Sequence, residues 1–87
     1  MIGALDETTA RFREALNKVH ETESVIALDR QRVAQSQRSF DAGESDRLAL
    51  RTTQLELESA IVAHTDALAE AQAALGALED AVQQELK

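Results

Sequence analysis

The feature that most constrains the fold is a repeat of large apolar residues, one every seven positions, in the first half of the chain. The members of this repeat are Leu5, Phe12, Val19, Ile26, Val33 and Phe40. A strict seven-residue spacing places these side chains in one straight stripe along an α-helix that packs against a partner helix. The seam positions between them are small or polar: Thr8, Ala15, Thr22, Asp29 and Ser36. We therefore predict a helix over about 5–40 with a narrow apolar stripe.

The repeat ends in a short polar segment that predicts a turn at 41–46. Gly43 suits the left-handed backbone conformation that often follows a helix C-terminus, because glycine has no Cβ. Ser45 or Asp46 suits the N-cap of a second helix, since either side chain can accept a hydrogen bond from a free backbone N–H. A turn this short between two long helices predicts an antiparallel hairpin.

The second half of the chain, over about 46–86, is predicted to be a helix with four columns at seven-residue spacing. The first column is Gln54, Ile61, Leu68, Leu75 and Val82, and the second is Leu50, Leu57, His64, Ala71 and Leu78. The third column is Leu48, Leu55, Val62, Ala69 and Gly76, and the fourth is Ala60, Ala67, Ala74 and Ala81. The first two columns alternate by three and four, as a heptad seam does. Together the columns present more apolar surface than one partner helix can cover.

The register of the hairpin is predicted by pairing the repeat of the first helix with the third column. This pairing sets Phe40 beside Leu48 and Phe12 beside Gly76, so that the largest side chain meets the smallest. A larger residue at Gly76 should then overpack the layer. The apolar residues left uncovered are predicted to form a self-association surface. They are Leu50, Leu57 and Leu78 on the second helix and Leu16, Val25 and Leu28 on the first.

The predicted fold is therefore all-α: one unit over 1–87 that forms an antiparallel two-helix coiled-coil hairpin and oligomerises. The formal net charge is −7, and 41–87 carries all of it, with three basic and ten acidic residues. Such a chain repels phosphate, which argues against nucleic-acid and anionic-membrane partners. The apolar start at 1–5 is too short for a signal peptide. Taken by itself it predicts a soluble cytoplasmic chain, whereas an excised fragment would carry no compartment signal there.

The residues that could carry chemistry favour a non-enzymatic role. A metal site needs three or four converging ligands, and the two imidazoles, His20 and His64, are predicted to lie on different faces. Paired carboxylates need a pocket that shifts their pKa values, which a two-helix rod does not offer. The chain has no Cys. We therefore predict no catalytic residue, no metal and no cofactor, with His64 as a seam residue that sets register or responds to pH.

The residues around the predicted turn, 38–54, read RSFDAGESDRLALRTTQ. This stretch resembles the periplasmic helical hairpin of TolC-like outer-membrane efflux proteins. That family shows an aromatic residue, two variable residues, a Gly, often a Glu, and a Ser near the start of the next helix, followed by leucines and Ala-Gln. The matching positions are Phe40, Gly43, Glu44, Leu48, Leu50 and Gln54. Asp46 replaces the Ser, Ala49 replaces the usual Asp, and Arg51 replaces an aliphatic residue.

The resemblance implies a specific role. TolC-like proteins are trimers whose long helices build an α-barrel tunnel across the periplasm, below a β-barrel in the outer membrane, and their helical tips meet a periplasmic adaptor protein. This chain would then be a hairpin of such an efflux channel, located in the periplasm or outer membrane as part of its parent protein. The turn residues that the resemblance assigns to adaptor binding are Phe40, Asp41, Gly43, Glu44, Asp46 and Leu48.

Two other interpretations of the sequence stay open. A hairpin from a periplasmic adaptor protein also has a Gly near its turn, but Ile-Ser or Val-Ser usually follows where Glu44-Ser45 stands here. A general antiparallel coiled-coil interaction module, including a cytoplasmic one, would show the same periodicity without any link to efflux.

Overall fold

The computed structural model of this chain describes residues 3–86 as an antiparallel helical hairpin. Helix α1 spans Ala4–Asp41, and helix α2 spans Arg47–Glu85. The two helices pack along their whole length into a rod of 67 × 17 × 14 Å. The predicted antiparallel two-helix fold is confirmed, and the predicted helix limits differ from the observed ones by one residue at each end.

Both helices form because their residues favour helix and because each has an apolar face to bury. The chain has no proline, and it is rich in alanine, leucine, glutamate, glutamine and arginine, which lose little freedom in a helix. Asp6 and Glu7 lie in the first turn of α1, where carboxylates interact favourably with the positive end of the helix dipole. In a helix pair this long, most of the stability must come from packing across the interface between them.

On α1, the interface follows the seven-residue repeat, as predicted. Val19 is buried, and the other members of the repeat are half-buried. The intervening positions face the same way: Ala15 and Asp29 are buried, whereas their counterparts with hydroxyl side chains are half-buried. These two sets of α1 positions, together with the α2 positions that face them, are called the seam below.

On α2, the predicted pairing with the third column is wrong. Leu48 and Val62 of that column are 73% and 61% exposed, and a Cβ placed on Gly76 would meet no atom within 4 Å. The seam is formed instead by the second column and the alanine column. Its buried members are Leu50, Ala60, Ala67, Ala71, Ala74 and Ala81. Because each residue turns the helix by about 100°, the third column lies about half a turn away from this seam.

The cross-helix register is fixed near the middle of the rod. The Oγ1 of Thr22 and the Nδ1 of His64 are 2.8 Å apart. Seven residues towards the termini, Ala15 and Ala71 lie in one buried cluster that also contains Val19, Ala67 and Ala74, with Phe12 packed against it. In this register Phe12 and Val19 of the α1 repeat face Ala74 and Ala67 of the alanine column. The principle that large side chains meet small ones was right, but it applies to a different column.

Gly76 therefore gives the opposite prediction from the one that the sequence suggested. Gly76→Ala should raise the free energy of unfolding by about 0.5–1 kcal/mol, because alanine favours a helix interior and the added methyl group meets nothing. Thermal denaturation followed by circular dichroism measures the change. A lower melting temperature would mean that Gly76 does pack against α1.

Candidate interaction surfaces

The tip of the hairpin, residues 40–48, is held by hydrogen bonds at both helix ends. At the end of α1, the N–H of Gly43 donates to the carbonyl of Phe40 at 3.0 Å, and the N–H of Glu44 donates to the carbonyl of Ser39 at 2.9 Å. Gly43 has φ of +75°. This pair of bonds around a left-handed glycine is a Schellman motif, which confirms the predicted role of Gly43 after the helix.

At the start of α2, Asp46 is the N-cap, one of the two candidates that the sequence offered. Its extended backbone has φ of −91° and ψ of 172°, and its Oδ1 accepts a hydrogen bond from the N–H of Ala49 at 2.9 Å. The hydroxyl of Ser45, the other candidate, is shielded from solvent and has no hydrogen-bond partner among residues 3–86. Hydrogen bonds therefore fix the backbone of the five residues between the helices at both ends.

Gly43→Ala tests how firmly this turn is built. The substitution should lower the free energy of unfolding by about 1 kcal/mol, because an L-residue pays a steric penalty at positive φ. No atom lies within 4 Å of the added methyl group, so backbone conformation is the sole expected cause. Chemical denaturation measures the loss. Gly43→Asn, which tolerates this conformation better, should recover part of it, and equal losses for both variants would contradict the explanation.

The residues that the resemblance assigns to partner binding are mostly accessible at this tip. Asp41, Gly43, Glu44 and Asp46 are exposed, and Phe40 is half-buried at the end of the seam. Leu48 is 73% exposed, although it is a large aliphatic residue in the first turn of α2. The Nε2 of Gln37 donates to Oδ1 of Asp41 at 2.9 Å, which ties that carboxylate to α1. The tip thus presents one exposed aliphatic side chain, Leu48, beside Arg47 and three carboxylates on a fixed backbone.

The predicted self-association surface is divided by the structure. Leu50 is buried and Leu57 and Leu78 are half-buried, because the second column is part of the seam. These three leucines are therefore not the uncovered surface that the sequence predicted: α1 packs against their column.

The three α1 members of that set are uncovered, as expected, but they do not share one face. Leu16, Val25 and Leu28 are 38%, 47% and 48% exposed. Val25 follows Lys18 by seven residues, so it lies on the side of the hairpin where Lys18 Nζ and Glu70 Oε2 are 3.5 Å apart. Leu16 precedes the seam position Val19 by three residues and lies on the opposite broad side.

The first column of α2, which the sequence predicts as part of a heptad seam, forms an exposed surface instead. Its aliphatic members, called the ridge below, are Ile61, Leu68, Leu75 and Val82. Their side chains are 41%, 43%, 40% and 40% exposed. The nearly equal values agree with one line of side chains that runs beside the seam along α2. In the register of the Thr22–His64 contact, Leu16 of α1 lies about two residues, roughly 3 Å of helix rise, from the level of Leu68 on this side. The seven-residue spacing of the ridge was visible in the sequence, but its exposure depends on which columns α1 covers.

The opposite broad side is a shallow groove with charged edges. It is floored by Ala15, Ala73 and Ala74 and edged by Arg11, Glu14, Lys18 and Glu70. Its open volume is about 370 Å³. The groove exists because alanines in the seam let the helices approach closely, leaving little side-chain volume above the contact line.

The two histidines have separate environments. Thr22 Oγ1 lies 2.9 Å from the carbonyls of both Lys18 and Val19, so its one hydroxyl proton is directed to its own helix. With its proton on Nδ1, His64 donates to Thr22 Oγ1, 2.8 Å away. His20 is exposed and its Nδ1 lies 3.8 Å from Glu23 Oε2. Within the part of the chain that the structure describes, no group of three His, Asp or Glu side chains converges to hold a metal ion.

Comparisons of this sequence with known families, proteins and structures identify no relative. No protein-family model, curated protein or solved structure matches this sequence. Over residues 3–86, neither helix is apolar enough along its length to cross a membrane.

Proposed function

We propose that this chain is a helical-hairpin interaction module that works through protein–protein contacts. In its specific form, the proposal is that it is a periplasmic hairpin of a TolC-like outer-membrane efflux channel, with its tip docking a periplasmic adaptor protein. The observation that carries the proposal is the capped tip, where residues matching the family pattern surround Leu48, an aliphatic side chain 73% exposed to solvent. A non-catalytic role fits a rod whose titratable groups lie mainly on its solvated faces.

The tip supports docking because it combines a fixed backbone with an exposed apolar anchor. Hydrogen bonds on both sides of Gly43 and from the cap of α2 define its path. Preorganised surfaces bind with a smaller entropy cost than flexible ones. The charged side chains of the tip, Glu44 and Asp46 beside Arg47, would favour a partner with complementary charges at the rim of an apolar socket.

The ridge supports a place among other helices. Its four aliphatic side chains repeat over 21 residues of α2, roughly 32 Å of helix. A helix that is apolar on more than one side is normally flanked by more than one neighbour. In the proposed channel wall, α1 covers the seam and a neighbouring helix covers the ridge. The homo-oligomer of the full-length family, a trimer, would supply such neighbours.

The test is binding to the two kinds of protein that meet in an efflux pump. The purified chain is passed over immobilised periplasmic adaptor proteins and, separately, over immobilised TolC-like channels. Capture by adaptors that Leu48→Glu abolishes and Leu55→Glu preserves is the expected result. Leu55 is the matched control, because it is also an exposed leucine, at 49%, one heptad away from the tip.

The other outcomes separate the alternatives. Capture by channels and not by adaptors would assign the chain to an adaptor hairpin instead. Capture by neither, with the helical spectrum intact, would remove the efflux assignment and leave a general coiled-coil module. Equal loss of adaptor binding in both leucine variants would show that the tip is not the docking site.

A further inference from the structure

We propose that the ridge side of this hairpin is an interface for a second copy of the same chain, and that the two copies pair antiparallel with the two-fold axis passing Leu68. The pairing goes beyond the channel assignment and does not depend on it. It would cover, in the free chain, the same surface that a neighbouring helix would cover in a channel wall.

The position of the axis follows from the spacing of the ridge. Antiparallel pairing about Leu68 places it against Leu68 of the second copy and places Ile61 against Leu75. Because Leu16 lies within roughly 3 Å of the level of Leu68 on the ridge side, four leucines, two from each copy, would lie near the centre. Since α2 spans Arg47–Glu85, an axis at residue 68 lies close to the middle of the helix, and the two rods overlap almost completely.

The distribution of charge along the rod selects the antiparallel direction. The tip half, 24–62, holds five basic and six acidic residues, and all five basic residues are arginines. The terminal half, 1–23 with 63–87, holds four basic and ten acidic residues. A parallel pair would align the two strongly acidic halves. An antiparallel pair sets each acidic half against the arginine-bearing tip half, which lowers the repulsion within a Debye length of about 8 Å.

Individual charges agree with this direction at the rod ends. Arg51 precedes Leu68 by seventeen residues, and Glu85 follows it by the same number. The proposed axis therefore brings Arg51 of each copy to the level of Glu85 of the other.

One acidic pair opposes the association, because Glu58 lies near the level of Glu79 of the second copy. Glu58→Lys replaces this repulsion by an attraction to Glu79, so it should lower the dissociation constant of an antiparallel dimer. It should not lower that of a parallel dimer, in which position 58 of one copy faces position 58 of the other.

The first test is the oligomeric state by sedimentation equilibrium of the full chain in moderate salt. The wild type should dimerise, and Leu68→Glu should raise the dissociation constant at least tenfold, because two buried carboxylates would meet at the axis. Val62→Glu is the matched control: Val62 is 61% exposed and lies outside the ridge, so its dimer should remain. A well-folded wild type that stays monomeric at high concentration and high salt would overturn the proposal.

The second test measures direction. The chain has no cysteine, so a single introduced cysteine carries a spin label at one known place. Labels at Glu58→Cys should lie roughly 30 Å apart along the dimer, from twenty residues of helix rise, whereas labels at Thr65→Cys should be within about 20 Å. Short distances at both positions would establish a parallel pair and overturn the antiparallel assignment. An adaptor-binding result in the tip experiment has no bearing on either measurement.

Discussion

Asp29→Leu is expected to raise the free energy of unfolding of the hairpin by about 1–3 kcal/mol. Asp29 is a seam residue with 6% exposure. Its sole ion-pair contact in the described part of the chain is with Arg32, whose Nη1 lies 3.7 Å from Oδ1. That distance is too long for a hydrogen bond, and the Arg32 side chain is 55% exposed. Asp29 therefore sets a polar group with one weak ion pair at a covered seam position, and a leucine would restore an apolar layer.

Chemical denaturation of the wild type and two variants measures the effect. Asp29→Asn is the matched control, because it removes the charge but keeps the size and a polar group. Since an amide keeps a polar group where leucine would add apolar contacts, Asp29→Asn should recover less stability than Asp29→Leu. A less stable leucine variant would show that the Asp29–Arg32 pair contributes more than its geometry indicates. The same result would follow if the seam cannot hold a larger side chain there.

The features that could be predicted from sequence are those set by neighbouring residues. The seven-residue repeat of α1 has one apolar stripe, so one face had to be buried. Gly43 and Asp46 are residues whose own chemistry determines the local backbone, and both act as predicted. The hairpin then follows because a short turn between long helices leaves no other arrangement that buries the stripe within one chain.

The face of α2 could not be predicted in the same way, because four columns compete for the seam. Hydrophobicity favours the columns with the largest side chains, which contain Leu48, Leu68 and Leu75. The structure buries alanines instead and leaves those leucines exposed. Close packing explains the choice: α1 supplies the bulky residues, and alanines on α2 let the two backbones approach so that those residues are in contact.

The choice of column for the seam also determines which α2 residues are available for interaction. The resemblance to a known pattern predicts the tip residues, and most of them are accessible. The ridge was missed because its exposure depends on the angle at which α2 faces α1. Leu57 and Leu78 are predicted on the outer surface because the sequence pairs α1 with the third column, whereas their own column faces α1. A seam contact between Thr22 and His64 and a surface ion pair between Lys18 and Glu70 fix that angle.

The alanine seam itself gives the last prediction, which uses two neighbouring alanines of opposite exposure. Ala67 is 4% exposed in the buried cluster with Val19, whereas Ala69, two residues later, is exposed. Ala67→Leu should lower the free energy of unfolding by about 1–3 kcal/mol, because the larger side chain forces the helices apart. Ala69→Leu should leave stability within about 0.5 kcal/mol of the wild type, since it adds an apolar group on the surface.

Denaturation of both variants by urea, followed by circular dichroism, separates size from hydrophobicity. The substitution is the same in both, so helix propensity and added apolar area cancel in the comparison. If Ala67→Leu were as stable as the wild type or more so, close approach of the helices at the alanine column would not be what holds the seam together. The converse result, a loss confined to Ala67→Leu, would place the packing constraint on this face of α2. It would also account physically for the place of the ridge: leucines in the alanine column would separate the helices, so Leu68 and Leu75 lie beside the seam and not in it.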